Sequence, residues 1–213
     1  MNGRISGLYA ITPDLADTEK LIQHVRLALE GGARYLQYRN KSADQSLRLQ
    51  QATALICLCR GFAVPLIIND SLELALEINA DGVHLGAQDC LISDAKSKLG
   101  ADKLIGASCY DDLQRALSAE AEGADYVTFG SFFASAVKPN ALTAPLKLLR
   151  QAKARLKVPI VAIGGINLEN AVSLIAAGAD AVAVISALFN AKDIRETAKS
   201  FDALFADSHH GVA

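Results

Sequence analysis

The sequence predicts an α/β protein that folds as a single parallel (β/α)8 TIM barrel. Short apolar, β-branched runs alternate with longer segments of helical periodicity, which is the pattern of parallel strands joined by helices. Runs such as 160–163 and 181–185 are apolar on both faces. Strands of this kind fit a closed barrel, with helices outside and packed side chains inside, better than an open sheet. An open doubly wound sheet stays as the alternative, because one sequence does not reveal strand order.

Eight strands are predicted along the chain, and they begin near Leu8, Tyr35, Leu66, Gly82, Leu104, Tyr126, Ile160 and Ala181. Longer helices are predicted over 18–30, 44–60, 111–121, 145–156, 169–176 and 193–205. Two shorter helices should follow Ser71 and Ile92. The last helix is expected to close the ring against the first.

A degenerate repeat precedes four of these strands. It reads Glu30-Gly-Gly-Ala33, Asn79-Ala-Asp-Gly82, Glu122-Gly-Ala-Asp125 and Ala177-Gly-Ala-Asp180. Glycine or asparagine can take the left-handed conformation that ends a helix, and a small residue then lets the chain turn closely into the next strand. The repeat is therefore interpreted as a folding signal.

Composition sets bounds on the class of protein. The 213 residues, 51% of them hydrophobic, can form one sizeable core, so residues 1–213 are predicted to be one domain with a disordered tail at 207–213. Lysine and arginine number 21 against 23 acids, which argues against nucleic acid as a partner. No apolar run is long enough for a membrane span, and the first residues lack a signal-peptide core. We expect a cytoplasmic protein, and its four scattered cysteines predict neither a disulfide nor a metal site.

Polar residues collect where the predicted strands end, which is where barrels of this type hold their active sites. Strand two ends in Gln37, Arg39 and Lys41, whose alternate spacing places them on one side of an extended chain. These groups could form a polyanion cradle or a solvated loop. Strands three and four are followed by Asp70 and Asp89. The two carboxylates could cap a helix and a turn, or together with substrate phosphates they could bind Mg²⁺.

Further candidates follow the later strands. Ser108 ends strand five and could hydrogen-bond a substrate, and Lys138 lies in a long helix-poor segment over 131–143. Gly164-Gly165 follows strand seven and Ile185-Ser186 follows strand eight, where barrels commonly bind a phosphate through backbone amides. A tight turn is the competing explanation for the glycines. His84 is predicted to be a hydrogen-bonded core residue.

The ordered set Gln37-x-Arg39-x-Lys41, Asn69-Asp70, 80–86 with Gln88-Asp89, Ser108, Lys138 and 164–166 resembles the thiamine phosphate synthase family over nearly the whole chain. The resemblance implies Mg²⁺-dependent coupling of a pyrimidine diphosphate with a thiazole phosphate, with release of pyrophosphate. It implies Asp70 and Asp89 as metal ligands and four catalytic residues, Arg39, Lys41, Ser108 and Lys138. These four are also expected to contact substrate, together with Gln37, Tyr38, Asn40, Asn69, Ala134, Ser135, Ala136, Gly165, Ile185 and Ser186.

The segment 130–138 departs from the family pattern, because threonines usual there are replaced and Val137 cannot hydrogen-bond. A reduced affinity for the thiazole, or a modified thiazole substrate, is the expected consequence. Two rival functions are a metal-free thiazole tautomerase and a noncatalytic phosphate-binding barrel. Retention of Arg39, Lys41, Asp70, Asp89 and Lys138 argues against the tautomerase, whereas the altered segment after strand six keeps the noncatalytic barrel open. Apolar helix faces are compatible with a homo-oligomer, but no pattern specifies one.

Overall fold

The eight strands close into a parallel barrel in which each strand pairs with its neighbours in sequence, and β8 pairs with β1. The computed structural model describes residues 5–134 and 144–206. The strands are β1 Gly7–Ile11, β2 Tyr35–Tyr38, β3 Leu66–Asn69, β4 Gly82–Leu85, β5 Leu104–Tyr110, β6 Tyr126–Phe129, β7 Ile160–Ile163 and β8 Ala181–Val184. The prediction of a closed barrel is confirmed, and the open sheet is excluded. The tail predicted at 207–213 lies outside the described residues.

Helices separate the strands and form the outer layer of the barrel. They are α1 Thr18–Glu30, α2 Gln45–Gly61, α3 Leu72–Glu77, α4 Ile92–Leu99, α5 Leu113–Ala121, α6 Lys147–Lys153, α7 Leu168–Ala176, α8 Ser186–Phe189 and α9 Ile194–Ala206. Helix α9 packs against α1, as predicted for closure of the ring. The short helix α8 was not predicted, and α6 is shorter than expected at both ends. Within the described residues, no helix combines the length and apolarity needed to cross a membrane.

The core has an outer and an inner layer because strand side chains alternate between faces. In β1, Leu8 and Ala10 pack outward against the helices, whereas Tyr9 and Ile11 pack inside the barrel. The inner layer contains aromatic rings where barrels of this class more often have aliphatic side chains. Tyr126 from β6 is the partner of Tyr9 across the interior, with ring centroids 5.9 Å apart.

The repeat before the strands has a structural role, and its backbone behaves as predicted. Gly32, Asn79, Gly123 and Gly178 all have positive φ angles, between 50° and 110°. The structure adds a second role, for the three aspartates of the repeat. Asp81, Asp125 and Asp180 each accept a hydrogen bond of 2.8–2.9 Å from a backbone N–H at the start of the preceding strand. Each aspartate thereby connects its own strand to the preceding one at the amino ends of the strands.

Candidate active site

A cavity of about 1190 Å³ opens at the carboxyl ends of the strands. All eight strands contribute to its lining, which is the position expected for an active site in this architecture. The cavity brings together most of the residues that the sequence singled out: Gln37, Arg39, Lys41, Asn69, Asp70, Asp89, Ser108, Ala134, Gly165, Ile185 and Ser186.

The loop after β2 is held in place by the loop after β1. Arg39 forms an ion pair of 3.1 Å with Asp14, and the same carboxylate oxygen accepts a 2.9 Å hydrogen bond from the backbone N–H of Lys41. The hydroxyl of Thr12 donates to the carbonyl of Arg39 and accepts from its N–H, both at 2.8 Å. These contacts hold the Arg39 guanidinium and anchor the backbone of Lys41 at the cavity wall. Sequence reasoning missed Asp14 and Thr12, because an acid and a threonine in a loop carry no signal of their partner.

Asp70 and Asp89 lie close together on the neighbouring part of the wall. Partial burial and the negative charge of Asp89 raise the pKa of Asp70, whereas the charge of Lys41 acts in the opposite direction. The cap of helix α3 is Ser71, whose hydroxyl accepts from the N–H of Leu74, so Asp70 does not have the capping role considered as an alternative. Asp89 does hold a turn, since its carboxylate accepts from the N–H of Gly86 at 2.5 Å.

This carboxylate pair fits a divalent cation by its donor chemistry. The negative charge of Asp89 contributes to the raised pKa of Asp70, and a bound cation would compensate the repulsion between the two carboxylates. Among the described residues, no group of three or more His, Cys, Asp or Glu side chains could hold a metal. Mg²⁺ commonly binds to one or two carboxylates and completes its shell with water and substrate phosphates. A two-carboxylate site beside cationic residues suits a metal that binds with a diphosphate.

The opposite wall is formed by the turns after β7 and β8. Gly164 and Gly165 have φ angles of 101° and 63°, and a β-carbon on Gly165 would lie 2.5 Å from the carbonyl oxygen of Ala134. The side chain of Asn170 donates to the carbonyl of Gly165 at 3.0 Å and holds the turn from behind. Ser186 begins helix α8 at the same rim. A glycine turn and a short helix after the last two strands are a common phosphate-binding arrangement in these barrels.

His84 lies at the floor of the cavity and is buried and hydrogen-bonded, as predicted. Its Nε2 lies 2.9 Å from the hydroxyl of Ser108, and its Nδ1 lies 3.1 Å from the hydroxyl of Tyr126. Burial lowers the pKa of His84 to about 4, so the imidazole is neutral near pH 7. Ser108 therefore contacts a neutral ring, which orients its hydroxyl.

Tyr38 and Asn40, two residues expected to contact substrate, have side chains that are hydrogen-bonded within the protein. The hydroxyl of Tyr38 donates to Gln51, and the amide of Asn40 donates to Gln51 and to the carbonyl of Leu15. Neither side chain lines the large cavity. Both residues stabilise the loop beneath helix α2, because alternation along β2 turns Tyr38 away from the barrel interior. The contact of these two residues with substrate stays a prediction.

Three other site predictions, Ser135, Ala136 and Lys138, lie outside the described residues. Several lining residues were not predicted at all, among them Tyr9, Tyr110 and Thr128. Tyr110 is exposed at the rim with a φ of 54°, a conformation that is uncommon for a bulky residue. Aromatic and β-branched residues in a strand are typical of a core, so no pattern in the sequence indicates that these three face a cavity.

The fold and the site define the class as a (β/α)8-barrel enzyme with one large cavity at the carboxyl ends of its strands. The family model described as thiamine monophosphate synthase matches residues 8–188. The chain belongs to this family, whose members are transferases of thiamine biosynthesis. It is 56% identical over 201 residues to the thiamine-phosphate synthase of Nitrosospira multiformis, covering 94% of this chain and 86% of the relative. It is 52% identical to that of Nitrosomonas eutropha, covering 95% of both chains.

Solved structures agree with the family and the fold. The thiamine phosphate pyrophosphorylase of Pyrococcus furiosus aligns with a TM-score of 0.84 and 37% identity, covering 94% of this chain and 96% of that chain. A 3-hexulose-6-phosphate synthase aligns with a TM-score of 0.69 at 17% identity, covering 92% of this chain and 99% of that one. At that identity the second likeness shows only that the barrel fold is shared.

Proposed function

We propose that this protein is a thiamine phosphate synthase that couples 4-amino-2-methyl-5-(diphosphooxymethyl)pyrimidine with a thiazole phosphate, giving thiamine phosphate and pyrophosphate. The observation that carries the proposal is the pairing of two anion-binding walls across one cavity. Cations and carboxylates follow β2, β3 and β4, and the glycine turn and α8 follow β7 and β8. Two phosphorylated substrates can therefore be held with their reacting ends facing each other.

Charge neutralisation is the main task of the first wall. Bond cleavage at the pyrimidine methylene develops negative charge on the departing diphosphate. The guanidinium of Arg39 is held by its ion pair with Asp14 and needs little reorganisation to meet that charge, and the backbone of Lys41 is anchored by the same carboxylate. Fixed groups of this kind stabilise the transition state more than the bound ground state. Asp70 and Asp89 would hold Mg²⁺, which when bound supplies positive charge to the diphosphate oxygens.

No protein nucleophile is needed for a dissociative route. The aminopyrimidine donates electrons to the methylene carbon as the diphosphate leaves, and the thiazole nitrogen then forms the new C–N bond. The chain's own residues position the two rings and limit access of water, which would otherwise trap the cation. All six of the following residues line the cavity. We expect Gln37, Asn69 and Ser108 to contact the pyrimidine, and Gly165, Ile185 and Ser186 to contact the thiazole phosphate.

The direct test is to incubate the purified protein with both substrates, with Mg²⁺ or with EDTA, and to follow pyrophosphate and thiamine phosphate. We expect equal amounts of the two products, formed only with Mg²⁺. Isomerisation of the thiazole without coupling would refute the proposal and favour a tautomerase. If neither substrate were consumed but the protein still bound phosphate, a noncatalytic barrel would be favoured.

A matched pair of variants tests the carboxylate site. Asp89→Asn keeps an acceptor for the N–H of Gly86 but removes the charge, and we expect turnover to fall by at least about a hundredfold. Asp94→Asn removes an exposed carboxylate from the first turn of the neighbouring helix α4 and should leave turnover within twofold. Equal turnover of both variants and the parent protein would rule out Asp89 as a metal ligand.

A further inference from the structure

A chain of hydrogen bonds crosses the barrel interior and joins two side chains of the cavity. The amide nitrogen of Gln37 donates to the hydroxyl of Tyr9 at 3.1 Å, and this hydroxyl lies 2.8 Å from that of Tyr126. Tyr126 lies 3.1 Å from Nδ1 of His84, whose Nε2 lies 2.9 Å from Ser108. The chain passes from β2 through β1, β6 and β4 to β5.

The middle of this chain is closed to solvent. Tyr9 is 1% exposed and Tyr126 is fully buried, and their rings pack edge to face. Tyr126 also stacks on His84 with a centroid distance of 5.5 Å. Burial raises the pKa of both phenols, so each keeps its single hydrogen near neutral pH. Every member of the interior therefore has one hydrogen to donate and must accept one from its neighbour.

Because each interior group donates one hydrogen and accepts one, the hydrogen-bond direction at Gln37 determines the direction at Ser108. When the Gln37 nitrogen donates to Tyr9, the hydrogen of Tyr9 is directed to Tyr126, and that of Tyr126 to Nδ1 of His84. The neutral imidazole then carries its hydrogen on Nε2 and donates to Ser108. The Ser108 hydroxyl is left to donate into the cavity, and the carbonyl oxygen of Gln37 is left to accept. Rotation of the Gln37 amide would reverse every bond in the chain.

We propose that Tyr126 is a positioning residue, which with Tyr9 and His84 couples the hydrogen-bond direction of Gln37 to that of Ser108. The two ends of the chain thereby present one acceptor and one donor to the same cavity. A 4-aminopyrimidine offers the opposite functions, since its amino group donates and its ring nitrogens accept. The inference rests on the proposed function for the identity of the pyrimidine. The coupling between the two ends is a property of the protein alone.

The kinetic test compares Tyr126→Phe with Tyr35→Phe. The first removes only the phenol oxygen in the middle of the chain. The second removes one from the same aromatic cluster, 5.9 Å from the ring of Tyr9, at a residue that is not a member of the chain. For Tyr126→Phe we expect kcat/KM for the pyrimidine diphosphate to fall roughly tenfold to a hundredfold, with KM for the thiazole phosphate within twofold. Equal effects of both variants, or equal loss for both substrates, would overturn the proposal.

A spectroscopic test does not depend on turnover. In the ¹⁵N-labelled parent protein, the imidazole shifts of His84 should show a single neutral tautomer with the hydrogen on Nε2. Tyr126→Phe should give a mixture of tautomers or the other one, whereas Tyr35→Phe should keep the parent pattern. A hydrogen on Nδ1 in the parent protein, or an unchanged pattern in Tyr126→Phe, would refute the coupling.

A second variant allows the test to be made even if Tyr126→Phe folds poorly. Tyr9→Phe interrupts the chain without touching His84, and it should show the same selective loss for the pyrimidine substrate. Normal kinetics in Tyr9→Phe would contradict the coupling. If the parent protein made no thiamine phosphate, the proposed function would fail, but the tautomer measurement would still decide whether the chain is ordered.

Discussion

Replacement of Gly106 by alanine should break the packing at the floor of the cavity. Gly106 in β5 is paired with His84 in β4 and with Tyr126 in β6. A β-carbon there would lie 2.1 Å from Cζ and 2.3 Å from the hydroxyl oxygen of Tyr126, and 2.4 Å from Nδ1 of His84. Favourable contacts between carbon atoms begin near 3.5 Å, so the tyrosine ring must move by roughly 1.4 Å.

The loss in the free energy of unfolding follows from the tight packing of the two rings. Overpacking of a buried site usually costs about 1–3 kcal/mol, and here the movement also disturbs hydrogen bonds of both rings. We expect a loss of roughly 3–5 kcal/mol in the free energy of unfolding. A domain of this size loses about 2–4 °C in Tm per kcal/mol, so the Tm should fall by about 6–20 °C. The kcat should fall as well, because the hydroxyl of Ser108 is oriented by His84.

The assay is thermal and urea unfolding of Gly106→Ala beside Gly61→Ala. Gly61 ends helix α2, and a β-carbon there would meet nothing within 4 Å, so this control should be neutral or slightly stabilising. A Tm of Gly106→Ala within 2 °C of the parent protein, with unchanged kcat, would refute the stacking of His84 and Tyr126 over β5.

Three further predictions concern the walls and the thiols. Gly165→Ala should raise KM for the thiazole phosphate at least about tenfold and change KM for the diphosphate much less, because its β-carbon would crowd the amide turn. Asp14→Ala should destabilise the fold by less than about 1 kcal/mol but raise KM for the pyrimidine diphosphate several-fold, since Arg39 loses its anchor. Ellman's reagent at pH 8 should react quickly with the two exposed thiols, Cys57 and Cys90. Cys59 and Cys109 should react slowly, because burial raises the pKa of each to about 12. Rapid reaction of all four thiols in the folded protein would contradict this burial.

The fold was largely predictable because its signals are local. All eight strands lie where short apolar runs predicted them, since a parallel strand covered on both faces must be apolar throughout. The helix α8 was missed because four residues, Ser186–Phe189, are too few to show a helical period. Ser71 rather than Asp70 caps α3, and neighbouring polar residues offer no basis in sequence for choosing between them.

The site was predictable only at its rim. Polar residues that directly follow strands must meet at one end of the barrel, so Arg39, Asp70 and Asp89 could be placed together from order alone. Contacts between distant segments could not be deduced. Tyr9 and Tyr126 are 117 positions apart, and their hydroxyls meet only because β1 and β6 face each other across the interior.

The polar floor of this barrel is better explained by function than by stability. A barrel interior filled by branched aliphatic side chains would avoid the desolvation of two phenols, an imidazole and an amide. Each of these groups is hydrogen-bonded, and within the described residues no buried side-chain nitrogen or oxygen lacks a partner. Because every polar group has a hydrogen-bond partner, the desolvation penalty is limited. Removal of any one group, however, would leave its buried partners without a hydrogen bond. A network that costs stability and tolerates no change is expected where it fixes the groups that contact a substrate, and Gln37 and Ser108 at its two ends both line the cavity.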